Sequence, residues 1–301
     1  ARDRSKVFYV YSRKHGDLER DYNQFYLSPT AYSQGDSNYR DVNQNRRNDL
    51  FFNPDVGMSN IVNFMNLIQL DGFNPQGVGG MSFMYKGDKK LLSDIFGVAA
   101  EGMGEFLKRP FTPGGIFKFI ESNSIRPAVS KEEMLSGMLE GSDAVQNSQH
   151  IDGFWSDHWH YNMDLIDSFL AVYPDRRKEL FFDRRDFTFH DSPHIVLPRE
   201  DKYVLWNGKP IQLGAVRIDE EKKKMISDRK SDKTLVRKVN GKGDIYRTNL
   251  ITKLFIIAVN KINSIGPDGC GIEMETDKPN WYDALNGLPG LFGSSSNETF
   301  E

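Results

Sequence analysis

Ile245-Tyr246-Arg247-Thr248-Asn249-Leu250-Ile251-Thr252-Lys253-Leu254-Phe255-Ile256-Ile257-Ala258-Val259-Asn260-Lys261-Ile262 is the longest and most apolar helical run of the chain, and its reading sets the fold class. Working outward, the same three- and four-residue recurrence of apolar side chains appears in residues 58–70, where Ile61, Phe64, Met65 and Ile68 form the stripe. It appears again in Leu91–Lys108, in Lys131–Leu139, and in Tyr161–Val172 with Met163, Ile166, Phe169 and Leu170 on one side. Strand-like runs are few: Val7–Tyr11, then Tyr203–Trp206 and Ile211–Ile218 around Asn207-Gly208, a dipeptide that favours a tight hairpin turn. The fold expected is mainly α, one helical domain over residues 1–301, with a β-hairpin inserted near 203–218. Residues 198–242, rich in charge from Asp219 to Lys242, read as a surface insertion within it.

Composition narrows the function classes. At 301 residues the chain can bury a sizeable core, and 39 Lys plus Arg against 42 Asp plus Glu leave a net charge of −3. Such a balance gives no overall field to capture nucleic acid or an anionic membrane, so neither is expected as a partner. No apolar run reaches the roughly 20 residues a membrane helix needs, and Ala1-Arg2-Asp3-Arg4 carries no signal-peptide core. The single cysteine, Cys270, forms no internal bridge, which makes the cytoplasm the default location. The missing initiator Met and the stop at Glu301 suggest a segment of a longer protein.

Three polar clusters lie between the helices, read as loops on which a rigid scaffold displays function. The first is Asn38-Tyr39-Arg40-Asp41-Val42-Asn43-Gln44-Asn45-Arg46-Arg47. Guanidinium donates, carboxylate accepts and the amides do both, so Arg40, Asp41 and Gln44 suit a polyhydroxylated ligand; a plain surface ion pair is the simpler account. The second is His150-Ile151-Asp152-Gly153-Phe154-Trp155-Ser156-Asp157-His158-Trp159-His160-Tyr161. Ser156 or Asp157 can cap the helix that follows, and Trp155 with Asp157 can wall a sugar site. A metal site is weighed here on His158, His160, Asp157 and Asp152, but no HExxH-type spacing occurs and none is expected.

The third cluster is Lys278-Pro279-Asn280-Trp281-Tyr282-Asp283-Ala284-Leu285-Asn286-Gly287-Leu288-Pro289-Gly290. An indole face stacks on the C–H side of a pyranose, and a carboxylic acid two residues away can protonate a departing glycosidic oxygen. Tight turns with Trp281 as an apolar plug are the structural alternative. Glu273, Glu275 and Asp277 precede it as further acids. There is no P-loop, no Gly-Xaa-Ser-Xaa-Gly elbow, and Gly77-Val78-Gly79-Gly80 lacks the context of a dinucleotide fingerprint, so no cofactor is expected.

In order along the chain, Tyr39-Arg40-Asp41-Val42-Asn43-Gln44, Trp155-Ser156-Asp157-His158 and Trp281-Tyr282-Asp283-Ala284-Leu285-Asn286 resemble the cellobiose phosphorylase family. That family carries Phe-Arg-Asp followed by Gln, then Ser-Asp-Asp before a helix, then Gly-Asp-Trp-Asn-Asp-Gly-Met-Asn. The resemblance spans about 250 residues and implies an (α/α)6 barrel, partial in this chain and completed by further sequence or a partner chain, a homodimer included. It implies inverting cleavage of a β-linked gluco-oligosaccharide by inorganic phosphate as co-substrate. Asp283 then stands as general acid, Trp281 lines the subsite beside the scissile bond, and Arg40 and Asp41 grip hydroxyls. Arg46 or Arg47 is placed to neutralise the phosphate. Pro279-Asn280, Tyr282 and Ala284 depart from the family pattern, so the acceptor subsite differs and cellobiose itself is not assumed. An inverting hydrolase or transglycosylase on the same barrel, with Asp157 or Glu275 as base, and a glycan-binding helical domain without chemistry are the alternatives.

Overall fold

A computed structural model describes residues 37–145, 147–150, 154, 158–212, 216–265, 269 and 272. Helices predominate among them, so the fold is mainly α: α1 (Tyr39–Arg46), α2 (Asp49–Phe52), α3 (Ser59–Met65), α4 (Lys89–Phe96), α5 (Ala100–Phe106), α6 (Pro113–Ser122), α7 (Lys131–Glu140), α8 (His158–Val172), α9 (Arg199–Lys202), α10 (Glu220–Ser227) and α11 (Leu250–Asn263). Several starts are written locally. The side chains of Asp88, Thr112, Asp219 and Asn249 accept from the backbone N–H two or three residues on, and Ser130 with Glu133 forms a capping box before α7. Each such cap meets an otherwise orphaned donor and contributes about 0.5–2 kcal/mol.

The expected helices are present with shifted ends. Leu91–Lys108 is two helices, because Gly97 adopts φ +51°, terminates α4 and turns the chain before α5. The C-terminal run begins at Leu250, since Asn249 caps there and Ile245 is held instead in a bridge to Arg237. α8 starts at His158, three residues before its apolar stripe. No helix among the described residues is long and apolar enough to cross a membrane.

Short strands join the helices: β1 (Ser37–Asn38), β2 (Gly77–Val78), β3 (Ser82–Tyr85), β4 (Ser142–Val145), β5 (Ser148–Gln149), β6 (His194–Val196), β7 (Tyr203–Trp206), β8 (Lys209–Gln212) and β9 (Val216–Ile218). All pair antiparallel, in the order β1-β2-β5, β3-β4, β6-β9 and β7-β8. The hairpin falls where Asn207-Gly208 places it, with positive φ at both residues and Trp206 opposite Lys209. Its expected second strand is in fact two: β8 completes the hairpin, while β9 leaves it to pair with β6. The expected strand Val7–Tyr11 lies outside the described residues.

Apolar burial gathers in two centres. Tyr39, Ile61, Met65, Phe169, Leu250 and Ile257 bring α1, α3, α8 and α11 together, and Phe83, Ile95, Met103, Ile116, Met134 and Met138 unite β3 with α4–α7. The charged stretch after β9 is tied to this body. Asp191, 5% exposed, holds Arg229 Nη2 at 2.6 Å and Lys222 Nζ at 2.9 Å, so α10 and the segment behind it are clasped from beneath.

Candidate functional site

The first polar cluster is a helix rather than the expected loop. Tyr39, Val42, Asn43 and Arg46 recur at three- and four-residue spacing and all are buried, which is the amphipathic rule met by residues three of which are polar. That stripe turns Arg40 and Gln44, one turn apart, toward partly open surface, with Arg47 exposed beyond them. Asp41 occupies the third position of α1. Arg46 is buried, and Arg47 forms a loose ion pair with Asp164 of α8 at 3.7 Å; with both side chains about two-fifths exposed, such a pair contributes about 0–1 kcal/mol.

α1 packs against α8 through a buried polar junction, which brings the first sequence cluster to the second across more than a hundred residues. Tyr39 Oη lies 2.8 Å from Asn162 Oδ1 and 3.1 Å from the Phe64 carbonyl, so one phenolic proton serves two acceptors. Burial pushes the Tyr39 pKa up, and the hydroxyl stays a neutral donor. Asn43 Nδ2 donates to the same Asn162 oxygen at 3.0 Å, while Asn43 Oδ1 and Asn162 Nδ2 have no partner among the described residues. His158 stacks on Tyr39 with ring centroids 4.9 Å apart, and its Nδ1 lies 2.9 Å from Asn74 Nδ2. An amide N–H can only donate, so that ring nitrogen is the acceptor and the imidazole proton sits on Nε2. Among the described residues no group of three or more His, Cys, Asp or Glu is placed to hold a metal ion. Trp155, Asp157, Trp281 and Asp283 lie outside the described residues.

A groove of about 710 Å³ runs beside this junction, between Leu70–Phe73, the segment from Val196 to Lys202, and the C-terminal half of α11. Its volume is that of a small-molecule site, and its walls mix apolar side chains with Asp71, Arg199, Lys202 and Asn260. Asp71 Oδ1 accepts from Phe73 N at 3.1 Å, a turn that aims the chain into the groove. Partial burial of the carboxyl raises the Asp71 pKa, with the Phe73 N–H and then Lys222 opposing, although the residue keeps solvent contact that screens the effect. Asn260 Nδ2 donates to the Asp71 carbonyl at 2.8 Å, and its Oδ1 has no partner among the described residues.

The segment from Asp71 to Gln76 serves both places. Phe73 lines the groove and packs on Phe154 at 5.0 Å, Phe154 meets His150, and His150 stacks on His194 at 3.9 Å. Next to Phe73, Asn74 binds His158, and Gln76 O accepts from Tyr39 N at 2.6 Å. Burial, with Lys223 adding to it, draws the His194 pKa down. Sequence reasoning passed over Asp71, Asn260 and His194. The Asp-Gly and Asn-Pro pairs of Asp71-Gly72-Phe73-Asn74-Pro75 were the available signal, because such dipeptides mark a turn where a helix ends. No protein-family model matches the chain, and no curated protein is similar to it at a significant level.

Proposed function

We infer that the chain is a carbohydrate-active enzyme that cleaves a β-linked gluco-oligosaccharide by inverting phosphorolysis on a partial (α/α)6 scaffold. The observation that carries this reading is the packing of α1 on α8. Tyr39, next in sequence to Arg40 and Asp41, stacks on His158, the last residue of the second motif, and bonds Asn162 behind it, so residues of two stretches far apart in sequence meet, which supports the reading. Arg40 and Gln44 present donors and acceptors from one helix face, the geometry that a set of ring hydroxyls requires.

In the reaction, Asp283 donates its proton to the glycosidic oxygen as the anomeric C–O bond breaks. A phosphate oxygen attacks the anomeric carbon from the opposite face, so a β-glucoside yields an α-sugar 1-phosphate and a shortened oligosaccharide. The acid must stay protonated at working pH, as a carboxyl withdrawn from water does. The test incubates the protein with a panel of β-gluco-oligosaccharides, with and without phosphate, and follows sugar 1-phosphate against free reducing sugar. Phosphate-dependent sugar 1-phosphate is expected, with turnover lost in Asp283→Asn and sugar binding largely kept. Release that ignores phosphate assigns water as the acceptor and refutes phosphorolysis. Full activity of Asp283→Asn refutes the acid.

A further inference from the structure

We propose that the outward face of α11 is a self-association surface, on which a second copy of this chain seats its own α11 antiparallel to the first; this is independent of the reaction read above. The helix is built the wrong way round for one whose outer side meets water. Its inward side buries Lys253 and Asn260 beside Leu250 and Ile257, whereas its outward side carries Phe255 and Ile262, each 65% exposed, and Val259, 55% exposed, with Ala258 exposed between them. An amphipathic helix on the surface of a monomer has its polar residues on the other side. Leu70, half-exposed, carries the apolar patch across the groove that it lines with Phe255 and Val259. Together these four large side chains leave roughly 300–500 Å² of apolar area to water, the size at which a patch marks an interaction site.

The pattern of the face selects the occupant. Phe255 and Ile262 stand at equal distances on either side of the midpoint between Ala258 and Val259, so a two-fold axis through that midpoint sets Phe255 of one copy against Ile262 of the other and Ala258 against Val259. The bulky pair flanks the axis, and the small Ala258 at the crossing lets the two helices approach. Ile251, Phe255, Ala258 and Ile262 also follow one another at steps of four, three and four residues, the seam along which helices pack at a small angle. α11 carries no acid, and its cations are the buried Lys253 and Lys261; an antiparallel pair keeps the two Lys261 side chains apart, where a parallel pair would set them abreast. A standard interface buries about 800 Å² on each partner, so a patch of this size gives a reversible dimer rather than a permanent one.

Sedimentation equilibrium of the whole chain across the micromolar range tests this. The mass is expected to climb with concentration from the 34.5 kDa of one chain toward twice that value. Ala258 is exposed, so Ala258→Asp leaves the core intact while it sets two carboxylates beside the axis, and the dissociation constant should rise about a hundredfold or more. Ala258→Lys should act alike, and an equimolar mixture of the two variants should recover a dimer, because the axis then joins an acid to a base. Val98→Asp, at a fully exposed position between α4 and α5, is the control and should leave association unchanged. A mass of one chain at every concentration overturns the proposal, as does a dimer undiminished in Ala258→Asp, or a mixture no more associated than its two components. Loss of the helical circular dichroism in Ala258→Asp overturns it too, since another stretch of the same chain would then be what covers the face.

Discussion

Asp191→Asn should release the segment from Thr234 to Tyr246 without unfolding the molecule. The carboxylate is 5% exposed and meets Arg229 Nη2 at 2.6 Å and Lys222 Nζ at 2.9 Å. The two cations are unequal: the Arg229 side chain is 7% exposed and that of Lys222 is 32% exposed. Arg229 Nη1 also donates to the carbonyls of Lys233 and Leu235, so the guanidinium cannot swing to solvent without dropping both. Removing the carboxylate therefore strands a buried charge, a change that costs about 3–5 kcal/mol, whereas removing the partly wet ammonium in Lys222→Ala costs about 1 kcal/mol or less. Native-state hydrogen exchange reads this locally. The amides of Val236 and Asp191, bonded to the Phe189 and Thr234 carbonyls, should lose protection by a factor of a hundred or more in Asp191→Asn and by less than tenfold in Lys222→Ala. Arg229→Gln combined with Asp191→Asn should be milder than the sum of the two. Equal effects of Asp191→Asn and Lys222→Ala would show that the clasp is an ordinary surface ion pair.

Two further outcomes follow from single positions. Burial first, with Lys222, His194 and Lys253 adding and Asp191 opposing, draws the His190 pKa down to about 4. Below the ordinary value near 6.5 the unfolded chain takes a proton that the folded one refuses, so stability falls as pH drops and levels near pH 4, by about 3 kcal/mol in total. In urea titrations at pH 7 and 4.5, His190→Gln should lose less stability on acidification than the wild-type chain; equal losses would disprove a neutral buried ring. At Gly72, φ is +84° and an added Cβ would stand 2.5 Å from Asn260 Cβ, while at Gly97, φ +51°, it would meet nothing within 4 Å among the described residues. Gly72→Ala should therefore lower the melting temperature clearly more than Gly97→Ala, which bears only the strain of a positive-φ backbone, about 1–3 kcal/mol. Matching melting temperatures would deny the close approach at the groove floor.

What the chain declares about itself depends on whether its signals are local. α7 was legible nearly to the residue because the Ser130–Glu133 box and the Met134, Leu135, Met138 stripe are both short-range. The hairpin was legible because Asn207-Gly208 supplies its own backbone twist. α1 was hidden for the opposite reason. Its inward stripe is Tyr39, Val42, Asn43 and Arg46, and the amide and guanidinium read as solvent-facing until Asn162 and the Phe64 carbonyl are seen across from the stripe. Those partners come from α3 and α8, and no window of α1 contains them. Asp71 was lost similarly, since a carboxylate in an Asp-Gly turn looks solvated until α11 is packed against it.

The same dependence on distant partners explains why a lysine lies at the centre of the fold. Lys253 is fully buried on α11, with Nζ 2.6 Å from the Thr188 carbonyl, 3.5 Å from that of Ile68 and 3.4 Å from the centre of the Phe189 ring. Burial draws its pKa well below the usual lysine range, so the position costs stability, and a leucine would fill it more cheaply. What a leucine cannot do is donate. The Ile68 carbonyl, just past α3, also accepts from His190 N at 3.0 Å, and Thr188 begins the strand-like segment that leads through Asp191 to β6. One amine therefore bonds the segments that become opposite walls of the groove, Leu70–Phe73 on one side and Val196–Lys202 on the other, to the helix that forms its floor. A cleft held open between three elements needs its backbone ends met by hydrogen bonds rather than by apolar contact, which would draw the walls together.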